Sequence, residues 1–149
     1  MAKAVAINRS RAFENIVQRL AGEKAFYYNE SEKKVFPTIR EFLTFCALLG
    51  FQNGNRLPID ASLGMEDIQG VTYEDTEALE FIWLIALAET KTVNILQSGN
   101  ERKCADIFEE FANGGLQIVS NELSSLDEEH WPQKLHELTK GVQSVTQYD

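Results

Sequence analysis

The strongest pattern in the chain is a run of apolar residues that covers most of the circumference of one helix. Thr38 precedes the run and Glu41 lies three positions later, which is the spacing of a capping box. A helix that is apolar on nearly all sides is typical of the centre of a domain. The run reaches Gly50, which we expect to end the helix in a left-handed conformation.

Apolar residues recur at helical spacing in four further segments. These segments predict helices over about 9–20, 79–89, 104–112 and 127–142. Asn113, Gly114 and Gly115 interrupt the pattern after the third of them, so at least one of the two glycines is also expected to have a positive φ. Residues 64–69 are predicted to form one short helical turn.

Together the segments predict an all-α fold, as a single compact multi-helix domain of five to seven helices over residues 1–149. The C-terminal helix, from about 127, is expected to pack late or on a partner. Residues 90–96 could continue as helix or form a short strand, because Thr92, Val93 and Ile95 are β-branched, which leaves room for one short β-hairpin or strand pair. The predicted core draws on three helices: Phe42, Phe45, Leu49, Ile82, Trp83, Phe108 and Phe111.

The two cysteines and the N-terminus bear on the compartment. Cys46 and Cys104 both fall inside apolar helical patterns, so they are predicted to be buried thiols of a reducing compartment, with a disulfide as the alternative. The first residues contain no long apolar stretch of the kind that a signal peptide needs. We therefore expect a cytoplasmic protein that makes no membrane contact.

The net charge of −9 is unevenly distributed along the chain. Residues 1–56 hold nine Lys/Arg and five Asp/Glu, whereas residues 57–149 hold five Lys/Arg and eighteen Asp/Glu. Such asymmetry is consistent with a polyanion or an acidic protein bound to the basic half and a basic partner bound to the acidic half. In the alternative, the two halves attract each other within one fold.

The basic half supplies the candidate contact residues for a nucleic acid or a protein partner. Arginine beside aromatic residues, here Tyr27 and Tyr28, is the composition that holds phosphates and stacks bases. The candidates are Arg9, Arg11, Lys33, Lys34, Arg40 and Arg56. Asn53 and Gly54 favour a turn, so we expect Arg56 on an exposed loop, beside Arg40.

No arrangement of residues indicates a reaction. His130 and His136 are six positions apart, which is not a one-face helical spacing, so a metal pair is not expected. The acidic pair Glu109–Glu110 and the run 127–129 are interpreted as solvated faces rather than cation sites. The sequence thus predicts no catalytic residue, no cofactor and no metal ligand.

Three segments carry a resemblance to a known family: REFLTFCALLGFQNGNRLPI, FIWLIALAET and IFEEFANGGLQIV. In this order and spacing, over about 36–119, they resemble the Dnd system-associated protein 4 family, whose members accompany DNA phosphorothioation gene clusters in bacteria. Arg56 and Asn113 match its motifs, as do Gly54, Gly114 and Gly115. The resemblance implies no catalytic set, and for these glycines and Gly50 we expect a structural role.

The resemblance implies a cytosolic bacterial protein attached to DNA sulfur modification, or to a linked restriction system in phage defence. Our leading hypothesis is a non-enzymatic accessory protein that contacts protein components of that system. Direct DNA contact through the basic half and self-association stay open. The alternative is an uncharacterised enzyme, such as a nuclease subunit that uses scattered carboxylates.

Overall fold

The fold is a cluster of helices with one short pair of strands. A computed structural model describes residues 6–22, 35–60, 64–68 and 77–146. In chain order the elements are β1 (Ile7–Ser10), α1 (Glu14–Ala21), α2 (Ile39–Gln52), β2 (Gly64–Ile68), α3 (Glu77–Thr90), α4 (Glu101–Leu123) and α5 (Trp131–Thr146). Single turns of 3₁₀ helix lie at Arg11–Phe13, Val93–Leu96 and Glu128–His130. The predicted all-α class is confirmed.

Helix α2 begins where its sequence predicts. The hydroxyl of Thr38 accepts a hydrogen bond from the backbone N–H of Glu41 at 3.1 Å, which satisfies one of the free donors of the first turn. Phe42, Leu43 and Cys46 then lie fully buried along the helix. The expectation of a central, apolar helix is therefore correct.

Helices α2 and α4 cross at a point where both backbones come unusually close. A Cβ atom on Gly50 of α2 would lie 2.1 Å from the carbonyl oxygen of Phe111 on α4. In the opposite direction, a Cβ on Gly115 of α4 would lie 1.8 Å from the carbonyl oxygen of Cys46 on α2. Neither position has room for a side chain, so the crossing requires glycine on both helices.

The prediction that Gly50 and one of Gly114 and Gly115 have positive φ is wrong. Gly50 lies inside α2, and both other glycines lie inside the uninterrupted α4. Among the described glycines, those with positive φ are Gly54 and Gly99. Glycine within a helix costs about 0.5–1 kcal/mol relative to alanine, and here the close crossing of the two helices offsets that cost.

Two of the predicted local structures are also wrong. The helix predicted from residue 9 begins later, because Ile7–Ser10 pairs antiparallel with Gly64–Ile68, which replaces the predicted helical turn there. The register places Ile7 opposite Ile68 and Ser10 opposite Gly64. The hydroxyl of Ser10 then accepts from the N–H of Ala12 and caps the following 3₁₀ turn.

Most of the predicted core is buried as expected. Phe42, Ile82 and Phe108 are fully buried, and the predicted residues Phe45, Leu49 and Phe111 join the same cluster. Trp83 differs, because it is partly buried and packs against the cluster from outside. Cys46 and Cys104 are buried free thiols, which agrees with the predicted state rather than with a disulfide.

The C-terminal helix packs on the core. Trp131 at the start of α5 is buried, and its indole N–H donates to the carbonyl oxygens of Leu123 and Leu126, both at 3.2 Å. Leu135, one turn later, is also buried. Of the helices that the structure describes, none has the length and apolar character needed to cross a membrane.

The crossing of α2 and α4 predicts the effect of Gly115→Ala. Helix propensity alone would make this change stabilising by about 1 kcal/mol. The Cβ atom would instead clash with the carbonyl oxygen of Cys46. We therefore expect the free energy of unfolding to fall by about 1–3 kcal/mol. Urea denaturation of the two proteins measures the difference.

Gly54→Asn is the control for this substitution. Gly54 has φ +65° with nothing within 4 Å of the position of a Cβ atom, and asparagine tolerates that conformation. We expect its free energy of unfolding to stay within about 0.5 kcal/mol of the parent. A Gly115→Ala protein as stable as the parent would contradict the steric explanation.

Candidate interaction site

The loop that follows α2 is attached to α4 by backbone and side-chain hydrogen bonds. The N–H of Asn55 donates to the carbonyl oxygen of Gly50 at 2.8 Å, and its side-chain amide donates to the carbonyl oxygen of Gly114 at 2.9 Å. The N–H of Leu57 donates to the carbonyl oxygen of Glu110 at 2.9 Å. These contacts on both sides fix the position of Arg56.

Arg56 is held by two carboxylates and an aromatic ring. Its Nε lies 2.6 Å from Oε1 of Glu110 on α4, and its Nη1 lies 3.0 Å from Oε2 of Glu89 on α3. The guanidinium carbon stands 5.8 Å from the centre of the Phe111 ring, within the range of a cation–π contact. The hydrogen bond with Glu110 raises the pKa of Arg56 above its ordinary value. Arg56 thus joins the loop to both helices.

Asn113 supports the same loop from beneath. The residue is 4% exposed, and its amide nitrogen donates to the carbonyl oxygens of Leu57 at 3.1 Å and Pro58 at 3.4 Å. Among the described residues, its Oδ1 is the buried side-chain oxygen that lacks a hydrogen-bond partner. Asn113 therefore has a structural role, in which it positions the backbone after Arg56.

Arg9, one of the predicted contact residues, is buried. It lies on β1 with 6% of its side chain exposed, and its Nε and Nη2 each lie 2.8 Å from an oxygen of Glu14. The hydrogen bond from Arg9 lowers the pKa of Glu14, against the opposing effect of burial. Since guanidinium and carboxylate are joined by two parallel bonds, Arg9 stabilises the junction of β1 and α1.

The other predicted contact residues do not gather at one place. Arg11 is exposed on the 3₁₀ turn after β1, and Arg40 is half-buried in the first turn of α2. About 18 Å of helix separates Arg40 from Gln52, at the end of α2 that adjoins Arg56, so the expected position of Arg56 beside Arg40 is wrong. Lys33 and Lys34 lie outside the described residues, as do Tyr27 and Tyr28.

Ion pairs connect the basic and acidic halves of the chain. Arg19 on α1 pairs with Glu128, just before α5. Arg56 pairs with Glu89 and Glu110, as described above. These contacts support the alternative in which the two halves attract each other within one fold.

A buried polar cluster that the sequence did not reveal centres on Glu109. Its side chain is 9% exposed and accepts hydrogen bonds from the backbone N–H of Asn8 at 2.7 Å, from the Asn8 side chain at 3.2 Å and from Arg102. Burial raises the pKa of Glu109. The interpretation of Glu109–Glu110 as a solvated pair is therefore wrong for Glu109, which faces β1, while Glu110 faces Arg56. Adjacent residues of a helix point about 100° apart, and this was the signal in the sequence that Glu109 and Glu110 face different surroundings.

Asp127, Glu129 and His130 form a small acidic cluster at the surface. One possible ligand atom from each lies within 4.8 Å of the others, and all three side chains are exposed. Metal ligands in proteins are normally oriented by hydrogen bonds from surrounding groups. In this cluster, an oxygen of Glu129 lies 3.4 Å from Nε2 of His130, and this contact joins two members of the cluster itself. The cluster gives no basis for assigning a metal.

A family model matches almost the whole chain. It covers residues 7–143 and is described as DNA sulphur modification system-associated protein 4. The match includes β1 and most of α5, and so extends beyond the region 36–119 on which the resemblance rests. The comparisons with curated proteins and with solved structures found no match.

The Arg56 contacts predict a modest, salt-dependent contribution to stability. Arg56→Ala removes both ion pairs and leaves Glu89 and Glu110 facing each other, so we expect the free energy of unfolding to fall by about 1 kcal/mol at low salt. The loss should shrink as salt rises, because the pairs are partly exposed. Arg56→Lys keeps the charge without the forked geometry, so its free energy of unfolding should lie between those of the parent and Arg56→Ala. An Arg56→Ala protein that matches the parent at low salt would contradict this contribution.

Glu109 and Glu14 predict opposite pH effects. Glu109 has a raised pKa when folded, so it stabilises the fold most below its ordinary value of 4.5 and loses that contribution as pH rises through the raised value. Glu14 has a lowered pKa, so its contribution is present above 4.5 and disappears as pH falls.

We therefore expect the stability of the parent relative to Glu109→Gln to rise on acidification from neutral pH. The stability of the parent relative to Glu14→Gln should fall over the same range. Denaturation curves of the three proteins at several pH values measure both differences. The same trend for both variants would disagree with the environments described here.

Proposed function

The chain belongs to the DNA sulphur modification system-associated protein 4 family, and from this membership we propose that it is a non-enzymatic accessory protein of a bacterial DNA phosphorothioation system or of restriction linked to it. It works in the cytoplasm by contact with protein components of that system. The family name itself connects the chain with DNA sulphur modification. The accessory role and the kind of contact are our inference.

The state of Arg56 is the observation that most favours a protein partner over DNA. This arginine was one of the candidates for holding a phosphate, but its guanidinium already lies against Glu110 at 2.6 Å and Glu89 at 3.0 Å. A phosphate would have to displace one carboxylate and then remain near the other. The net charge of −9 adds a general repulsion between this protein and DNA.

The acidic surplus indicates the character of the partner. Residues 57–149 hold eighteen Asp/Glu against five Lys/Arg, and the pairs with Arg19 and Arg56 use only three of those carboxylates. A protein with a basic surface would be attracted to this half and would associate faster at low salt. We therefore propose a basic protein component of the modification or restriction machinery as the partner.

The enzyme alternative has little support from the described residues. Glu109 is a buried carboxylate with a raised pKa, which is a common property of catalytic acids. Its oxygen atoms, however, face Asn8 and Arg102, which hold it by hydrogen bonds. A structural role at the contact between β1 and α4 explains the same properties.

Recovery of partners from the native host tests the proposed function. The tagged protein should retain components encoded with the DNA sulphur modification genes, in amounts unchanged by nuclease treatment and reduced by salt. Mass spectrometry of the retained proteins provides the measurement. If these components are lost after nuclease treatment, DNA carries the association, and if none is retained, the proposed role is wrong.

Fluorescence anisotropy with short DNA duplexes gives an independent test of direct DNA contact. We expect weak or no binding at low salt and none at moderate salt, because phosphate contacts are strongly salt-dependent. Tight binding that is lost in Arg40→Ala/Arg56→Ala would restore the DNA hypothesis for the basic half. Tight binding that survives in this variant would place the DNA contact elsewhere on the protein.

A further inference from the structure

Helix α3 is apolar on nearly all sides but lies partly at the surface. The helix reads EALEFIWLIALAET, and a composition of this kind normally belongs to a fully buried helix. Ile82 and Ala86 do lie in the core. Leu84, in contrast, is 57% exposed, which makes it one of the two exposed large hydrophobic residues among those described. One face of α3 is therefore apolar and open to solvent.

The open face has a defined pattern, which we call the α3 stripe: Glu80, Leu84, Leu87, Ala88 and Lys91. Leu84 lies four positions after Glu80, and Leu87 and Ala88 lie three and four positions after Leu84, so these four residues lie along one side of α3. Lys91 directly follows the last residue of α3, with φ 57° and its N–H donating to the carbonyl oxygen of Leu87 at 2.8 Å. Leu87 is half-buried and the other four are exposed. The stripe is acidic at its first residue, apolar in the middle and basic at its last.

This pattern is complementary to itself when the direction of the helix is reversed. Glu80 and Thr90, the last helical residue, stand about 15 Å apart along the helix, and Lys91 comes next in the chain. A two-fold axis through the middle of the stripe would bring Glu80 of each copy to the Lys91 end of the other, with Leu84 and Leu87 packed between them. A two-fold contact requires this property, because the same surface serves both partners.

We propose that the α3 stripe is the interface of a homodimer in which the α3 helices of two copies pack antiparallel. Ala88 lets the two helices approach closely, since the distance between packed helices depends on the side chains at the contact. Neither Glu80 nor Lys91 takes part in an ion pair within the described part of the chain. Both residues are exposed, as pairing across an interface requires.

The charge pattern favours a second copy over a different protein. The basic partner proposed above would match a uniformly acidic surface, whereas the α3 stripe carries one charge of each sign at opposite ends. The dimer is a separate inference, and it stands or fails independently of the proposed function.

Charge reversal at the two ends of the stripe gives the sharpest test. Glu80→Lys alone, or Lys91→Glu alone, places like charges against each other twice in each homodimer, and we expect each to weaken dimerisation by about tenfold. The double variant Glu80→Lys/Lys91→Glu restores opposite charges. A mixture of the two single variants restores them as well, so it should form heterodimers in preference to either homodimer.

Sedimentation equilibrium over a range of concentrations, with native mass spectrometry of the mixture, measures these species. The proposal is overturned if the parent stays monomeric at the highest concentration. It is equally overturned if the parent dimerises but the single charge reversals do not weaken it, because the interface would then lie elsewhere. Both positions are exposed, so the variants should retain the circular dichroism of the parent.

A second pair of variants tests the apolar middle of the stripe. Leu84→Gln should reduce dimerisation strongly, because it replaces the central apolar contact. Val93→Gln is the matched control, since Val93 is 72% exposed and lies outside the stripe. We expect it to dimerise as the parent does. Equal effects of the two substitutions would contradict an interface centred on Leu84.

Discussion

The structure depends on the close crossing of α2 and α4. At this point Gly50 and Gly115 bring the backbone of each helix against a carbonyl oxygen of the other. Packing of this kind excludes any side chain from the crossing, so the apolar residues on either side of it meet across a short distance. The buried residues Phe42 and Phe108 belong to the same core cluster. The rest of the helical structure is arranged around this pair.

The crossing also determines where the candidate site lies. Because α2 meets α4 near the end of α2, the loop that follows runs directly over α4 and forms hydrogen bonds with Gly114 and Glu110. Arg56 is thereby placed between α4 and the end of α3. The arginine thus links the loop and α4 to α3, the outer helix that carries the exposed Leu84.

Local features of the fold could be predicted from the sequence, and features that depend on distant partners could not. The cap at Thr38 and the core positions of Phe42 and Phe108 follow from residues within a few turns. Glycine can end a helix in a left-handed conformation, or it can lie within a helix where a second backbone comes close. A local sequence pattern does not distinguish these two uses. For Gly50 and Gly115, only the second helix decides between these uses. The strand at residues 7–10 likewise forms because of its pairing with residues 64–68.

For the candidate site too, the local features could be predicted from the sequence and the contacts with distant residues could not. The exposed loop around Arg56 followed from its turn-forming residues, whereas its pairing with Glu89 and Glu110 joins positions more than thirty residues apart. The burial of Arg9 depends on β1, which the helical pattern concealed. A charged residue in a sequence shows what it can bind, and its neighbours in the fold determine what it does bind.

The crossing has a consequence for the reactivity of Cys46. The backbone of Cys46 lies against Gly115 of α4, its side chain is fully buried, and burial raises the pKa of the thiol well above the ordinary value of 9.0. Alkylating and oxidising reagents attack the thiolate, which burial both hides and disfavours. Modification of Cys46 therefore has to wait until the core opens around it. The rate at which this thiol is labelled under native conditions therefore reports how often the core opens.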